Sequence, residues 1–251
     1  MVKILMHGCN GKMGRMITEI VKNEEDAVIA AGVDKFTGIP NDYPVFEEIA
    51  QCDVDVDVVI DFSNAGAVDE LLDYCVKKSL PVVLCTTGLS DEQLKKVDEC
   101  SEKIAVLKSA NMSMGINLLL KLLKDAAKVL APAGYDIELV EKHHNQKLDA
   151  PSGTAAMLVE AMDPHHEFKR VYGREGFVGK RGKEIGIHAI RGGTVAGEHT
   201  VLYLGEDESL KITHTASSRM IFVNGAWKAL DFMAKRPNGY YTMKDLTGEE
   251  Q

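Results

Sequence analysis

The chain has 251 residues, 45% of them hydrophobic and 27% charged, with a formal net charge of −9. That is the balance of a globular protein with room for one large domain or two small ones. The acidic balance argues against a nucleic-acid surface, and no apolar stretch approaches the roughly 18 residues that span a bilayer. Five cysteines at 9, 52, 75, 85 and 100 include no CxxC pair. They read as reduced thiols in a cytoplasmic protein, not as a disulfide frame or a zinc knuckle.

The N-terminal MVKILMHG has too short an apolar run for a signal peptide and fits a buried first strand. Short apolar runs at 2–7, 27–34, 56–62, 81–88 and 104–110 predict buried parallel strands. Helical spacing fills the gaps in KMGRMITEIVKN, AGAVDELLDYCVKKS and SDEQLKKVDECSEK, the last with Ser90 as its expected N-cap. Strands alternating with helices at this pace predict βαβ units and a Rossmann-like parallel sheet. The rhythm then changes to a long helix over 113–131, a strand over 135–144 and a helix from the PSGTA turn to about Met162. Residues 183–216 are β-rich and suggest a mainly antiparallel sheet, so the second domain is expected to be α+β. A final helix over 219–235 should pack back on the first domain. The predicted domains are 1–113 with 220–251, for dinucleotide binding, and 114–219, for substrate binding and oligomerisation.

Directly after the first strand stands H-G-C-N-G-K-M-G, with glycines at 8, 11 and 14. The first glycine is displaced by one from the usual G-x-G-x-x-G, but the physics survives. Gly8 would make the tight turn, Gly11 would let a pyrophosphate approach the backbone, and Gly14 would let the helix pack on the sheet. Asp34, twenty residues past Gly14, lies where a carboxylate accepts from ribose hydroxyls, while Lys35 beside it would attract a 2′-phosphate. NADH, NADPH or both are therefore the expected cofactors. Cys85-Thr86-Thr87-Gly88 and Ala110-Asn111-Met112 follow later strands and should face the nicotinamide end.

The segment EKHHNQKLDAPSGTA, 141–155, carries two adjacent histidines, a lysine and a Pro-Ser-Gly-Thr turn. It has three readings: a metal site, an anion-holding patch, or a point of proton delivery. Adjacent strand histidines point to opposite faces, and no cysteine or carboxylate in typical ligand spacing joins them, so no metal is expected. Free amides at a helix start beside His, His and Lys would form an anion cradle within an acidic protein. His165-His166 reads as surface, and His188, His199 and His214 as structural or interfacial.

Five blocks, GCNGKMG, IDFS, CTTG, EKHHNQKLDAPSGTA and GEHTVLYLGEDESLKITHTASSRM, span nearly the whole chain in order. With them the sequence resembles the 4-hydroxy-tetrahydrodipicolinate (dihydrodipicolinate) reductases of the diaminopimelate route to lysine. The resemblance implies NAD(P)H-dependent reduction of a cyclic imine dicarboxylate, in a homotetramer built through the second domain's sheet. It implies His143 as general acid with Lys147 as its partner, and His144, Gly153, Thr154 and Arg219 as holders of the substrate carboxylates. Gly8, Gly11, Lys12, Met13, Gly14, Asp34, Lys35, Phe62, Thr86, Thr87, Gly88, Ala110, Asn111 and Met112 are the implied cofactor positions. Met112 stands where family members often carry an aromatic residue, and Asn64 where they often carry an arginine. Two other readings, a non-catalytic NAD(H)-binding redox regulator and a different amino-acid dehydrogenase, lack support. The first needs a DNA-binding element and a basic face, and the H-H-x-x-K string speaks against the second.

Overall fold

The computed structural model describes residues 1–234 and 236–246. Lys235, the end of the expected last helix, and residues 247–251, the end of the first predicted domain, lie outside the described residues. The chain divides into two compact units, Met1–Ser113 with Met220–Gln251, and Met114–Arg219.

The first unit opens with β1 (Val2–His7), α1 (Lys12–Val21), β2 (Ala27–Val33), β3 (Val45–Phe46) and β4 (Val58–Asp61). It continues through α2 (Val68–Lys78), β5 (Val82–Leu84), α3 (Asp91–Ser101) and β6 (Ala105–Lys108). The second unit comprises α4 (Met114–Leu130), β7 (Asp136–His143), α5 (Gly153–Met162), β8 (Lys169–Tyr172), β9 (Glu184–Arg191), β10 (Gly197–Leu204) and β11 (Ser209–Ala216). The first unit then closes with α6 (Met220–Met233), β12 (Gly239–Tyr241) and α7 (Met243–Leu246).

The first unit's sheet has the order β12-β6-β5-β4-β1-β2-β3 and every pairing is parallel. Its central strands are apolar on both faces because helices cover both. Leu5, Val59, Leu84 and Val106 join α2 and α3 in one core cluster, while α6 packs against α1, β4, β5 and β6. Ser90 caps α3 in a capping box with Gln93, as its place in the sequence predicts. The strand order reverses between β1 and β4, which opens a crevice at their C-terminal ends, where ligands of such sheets bind.

In the second unit the order is β11-β10-β7-β9-β8. Antiparallel pairing holds for β10 with both its neighbours, whereas β9 runs parallel to β7 and to β8. The sheet is thus mixed, because the chain crosses over through α5 before returning as β8 and β9. Along β7 alternate residues are buried, and Ile137 and Leu139 pack with Leu119, Leu123 and Leu158 of α4 and α5. That alternation puts Glu141 and His143 on the same inward face.

Candidate active site

The glycine turn of the first unit has the form its sequence predicts. Gly8 has φ +81°, and a Cβ there would lie 2.7 Å from the Phe62 carbonyl oxygen, so glycine is required twice over. A Cβ on Gly14 would sit 2.3 Å from the Gly8 carbonyl oxygen, which is how closely α1 packs on the turn. Gly11 is the N-cap of α1 and offers no side chain, so the helix start is left open to an anion. Asp34 accepts from the Asn10 amide at 2.9 Å and the Phe36 amide at 3.0 Å, which fixes its carboxylate beside the turn.

A cavity of about 360 Å³ brings Gly8, Gly11, Asp34, Lys35 and Phe62 together, with Asn64 on its wall. A glycine cradle that any Cβ would fill, an open helix start and a fixed carboxylate suit the diphosphate and ribose of a dinucleotide. Lys12 is exposed, Met13 half-buried, and neither lines that cavity. Thr86, Thr87 and Gly88 follow β5, where Lys108 donates to the Thr86 carbonyl at 2.8 Å. Ala110, Asn111 and Met112 follow β6; Ala110 is exposed and Asn111 buried. Met112 is buried, and a Cβ on Gly225 of α6 would lie only 1.7 Å from its carbonyl oxygen. These two turns lie outside the cavity.

The second unit gathers a different chemistry. His143 ends β7 and is buried, with Nδ1 2.8 Å from Oε2 of Glu141, which is fully buried. The approach has the distance of an ion pair but not the alignment of a good hydrogen bond. Burial pushes the His143 pKa down, and Glu141 pushes against that shift. The other oxygen of Glu141 accepts from the Ser152 amide at 2.9 Å and the Arg191 guanidinium at 2.8 Å. Burial alone would raise the Glu141 pKa, yet these donors outweigh it and hold the group as a carboxylate. Ser152 also caps α5, accepting from the Ala155 amide at 3.1 Å, and its hydroxyl lies 3.1 Å from Nε2 of His199.

Lys147 pairs with Asp149 at 2.8 Å, and its charge also lowers the His143 pKa. His144 follows β7 directly, and its amide donates to the Val195 carbonyl at 2.8 Å. Its Nδ1 is buried with no partner among the described residues. Gly153, exposed, and Thr154, half-buried, form the first turn of α5. Arg219 is exposed shortly after β11.

Sequence reasoning missed Glu141, Ser152, Arg191 and the part played by His199. The signal for Glu141 was present, because residues two apart on a strand share a face. Glu141, His143 and His199 bring donor atoms within 4.8 Å of one another, a grouping without His144 that the sequence reading did not foresee. They are not read as a ligand set, since the Arg191 guanidinium, 2.8 Å from the other oxygen of Glu141, repels a cation.

Comparison with known proteins gives this site its family. The family model described as dihydrodipicolinate reductase, N-terminus, matches residues 2–112, and the one described as its C-terminus matches 115–247. The 4-hydroxy-tetrahydrodipicolinate reductase of Clostridium novyi is 51% identical over 98% of both chains. That of Caldanaerobacter subterraneus subsp. tengcongensis is 49% identical, again over 98% of each. Among solved structures, a dipicolinate-bound dihydrodipicolinate reductase from Paenisporosarcina sp. TG-14 superposes with a TM-score of 0.83. That protein is 25% identical, and the match covers 96% of this chain and 97% of that one. The chain belongs to the dihydrodipicolinate reductase family, the NAD(P)H-dependent enzymes that reduce 4-hydroxy-tetrahydrodipicolinate in diaminopimelate and lysine biosynthesis.

Proposed function

We propose that this chain reduces 4-hydroxy-tetrahydrodipicolinate to tetrahydrodipicolinate with His143 as proton donor and Lys147 as its partner. The observation that carries the reading is the buried Glu141–His143 contact beside a capped helix start. Gly8, Gly11 and Gly14 with Lys12, Met13, Asp34, Lys35 and Phe62 would hold one half of the dinucleotide. Thr86, Thr87, Gly88, Ala110, Asn111 and Met112 would hold the other. The reduced nicotinamide, when bound, supplies hydride to ring C4 of the unsaturated imine left after the substrate's hydroxyl departs as water.

Negative charge then spreads through the enamine and must be met by a proton. A histidine is suited to this because its charge changes near neutral pH. His143 keeps an ammonium group, Lys147, close enough to be felt electrostatically. The substrate's two carboxylates meet the amides of Gly153 and Thr154 at the start of α5, the His144 ring and Arg219. Dipicolinate, bound in the solved relative, is likewise a cyclic dicarboxylate. We place the enzyme in the cytoplasm as a homotetramer, with the sheet of the second unit at the interface. Tyr172, Phe177, Val178 and Leu210 of that unit are exposed apolar side chains that assembly would cover. No helix among the described residues is long and apolar enough to cross a membrane.

The test is the oxidation of NADH and NADPH, followed by absorbance with freshly made substrate, for the native protein and His143→Ala. The reading expects substrate-dependent oxidation, and a turnover loss in the variant that far exceeds any rise in substrate KM. Equal losses in the two parameters would remove His143 from the protonation step.

A further inference from the structure

We infer that Glu141 is the positioning residue of this site. It fixes the His143 ring so that Nε2 is the edge offered to the substrate, and it joins that orientation to the helix start that holds the substrate's carboxylates. The inference rests on the reading of His143 as proton donor and names the group through which that donor is set.

The geometry has three parts. First, Glu141 is 0% exposed and ionised, so it can only accept. The imidazole nitrogen 2.8 Å from it is not aligned for a hydrogen bond, but a negative charge that close favours an N–H over a lone pair at Nδ1. With the proton on Nδ1, the transferable proton of the imidazolium is the one on Nε2. Second, a Cβ on Gly197 would lie 3.2 Å from that same Nε2, so β10 approaches the free edge of the ring without adding a side chain there. Third, the oxygen of Glu141 that faces away from His143 accepts from the Ser152 amide, and the Ser152 hydroxyl caps α5. The acid and the anion cradle thus hang on one carboxylate.

The charged groups facing His143 come from every neighbouring element. Glu141 and Asp149 favour its protonation, while Lys147 and Arg191 oppose it. His199, 5.2 Å away between ring centroids, is itself pushed down to about 4, chiefly by burial, and stands neutral at working pH. Glu141 is the buried carboxylate of the set and stands in direct contact with the ring.

The experiment compares kcat between about pH 5.5 and 9 for wild type, His143→Ala, Glu141→Gln and Glu141→Asp, with folding checked by thermal melts. Glutamine presents an N–H where the carboxylate was, so it favours the tautomer with the proton on Nε2 and withdraws the charge that supports imidazolium. The expected result for Glu141→Gln is a fall in kcat on the order of 100-fold with substrate KM nearly unchanged. The high-pH fall-off of kcat should also move to lower pH, a displacement that a merely structural role would not produce. Glu141→Asp keeps the charge, so it should keep the position of that fall-off while losing turnover through its shorter reach. A Glu141→Gln enzyme with kcat and pH profile like wild type overturns the inference while leaving His143 in place. If His143→Ala itself turns over at nearly the wild-type rate, the proton-donor reading fails and this inference falls with it. Should Glu141→Gln not fold, Glu141→Asp decides alone, and wild-type kcat in that variant would refute the role.

Discussion

His7 offers a sharp test of how the first unit is held together. Its Nδ1 lies 2.7 Å from Oδ1 of Asp61, which is 0% exposed, and the same oxygen accepts the Ser63 amide at 3.2 Å. Burial would raise the Asp61 pKa, but His7 together with Ser63 and Thr86 outweighs it and leaves the group below the usual carboxylate range. His7→Ala strands that carboxylate. Removing one partner of a buried pair costs about 3–5 kcal/mol. For a chain of this size, each kcal/mol shifts Tm by roughly 2–4 °C, which gives a fall of about 6–20 °C for the unit that contains the pair.

The sign with pH follows from the same shift. A carboxylate whose folded pKa is depressed contributes stability above its unfolded pKa, and that contribution is lost as pH falls through the folded value. Without His7, the uncompensated burial raises the Asp61 pKa instead. The gap between variant and wild type should therefore widen from about pH 4 to 7, and His7→Asn, which keeps a donor, should close part of it. Calorimetry at a series of pH values measures this. A His7→Ala Tm within about 2 °C of wild type at pH 7, or a gap independent of pH, would refute the reasoning.

Steady-state kinetics checks the remaining expectations. Lys147→Ala should lower kcat more than it raises substrate KM, on the order of 10²-fold if it supports the proton step. Arg219→Ala should mainly raise substrate KM, because a carboxylate clamp acts in ground and transition states alike, and an unchanged KM would exclude it from that role. Asp34→Ala should impair NADH use more than NADPH use, and equal effects on both would refute a ribose contact. Gly8→Ala should raise cofactor KM, since the new methyl meets the Phe62 carbonyl and the +81° φ strains any other residue.

The parts legible in the sequence were those with a local signature. The Gly8-x-x-Gly11-x-x-Gly14 turn announced itself because backbone conformation and close packing there admit little else. The central strands of the first sheet were readable because both their faces are buried. The edge strands β3 and β12, two and three residues long, are too short to show a period, and they owe their existence to the neighbouring strand they pair with. The parallel pairing of β7 with β9 was equally hidden, since strand direction follows from the crossover and not from composition. In the second unit, His143 was visible through its motif. Arg191 and His199 lie 48 and 56 residues further along the chain, and only sheet register brings them to Glu141.

That difference bears on how the site works in an acidic protein. A chain of net charge −9 gives a dicarboxylate no general reason to approach, so attraction must be local. On the proposed reading His144, Arg219 and the α5 start would supply it, while the positive charges of Lys147 and Arg191 near His143 disfavour its protonation. Asp149, an exposed carboxylate, offsets this in part but is paired with Lys147. Glu141 differs in its position. It is buried, its charge is shared among Ser152, Arg191 and His143, and its Coulombic effect falls on the ring it touches. Burial thus keeps this carboxylate in contact with the His143 ring and away from solvent.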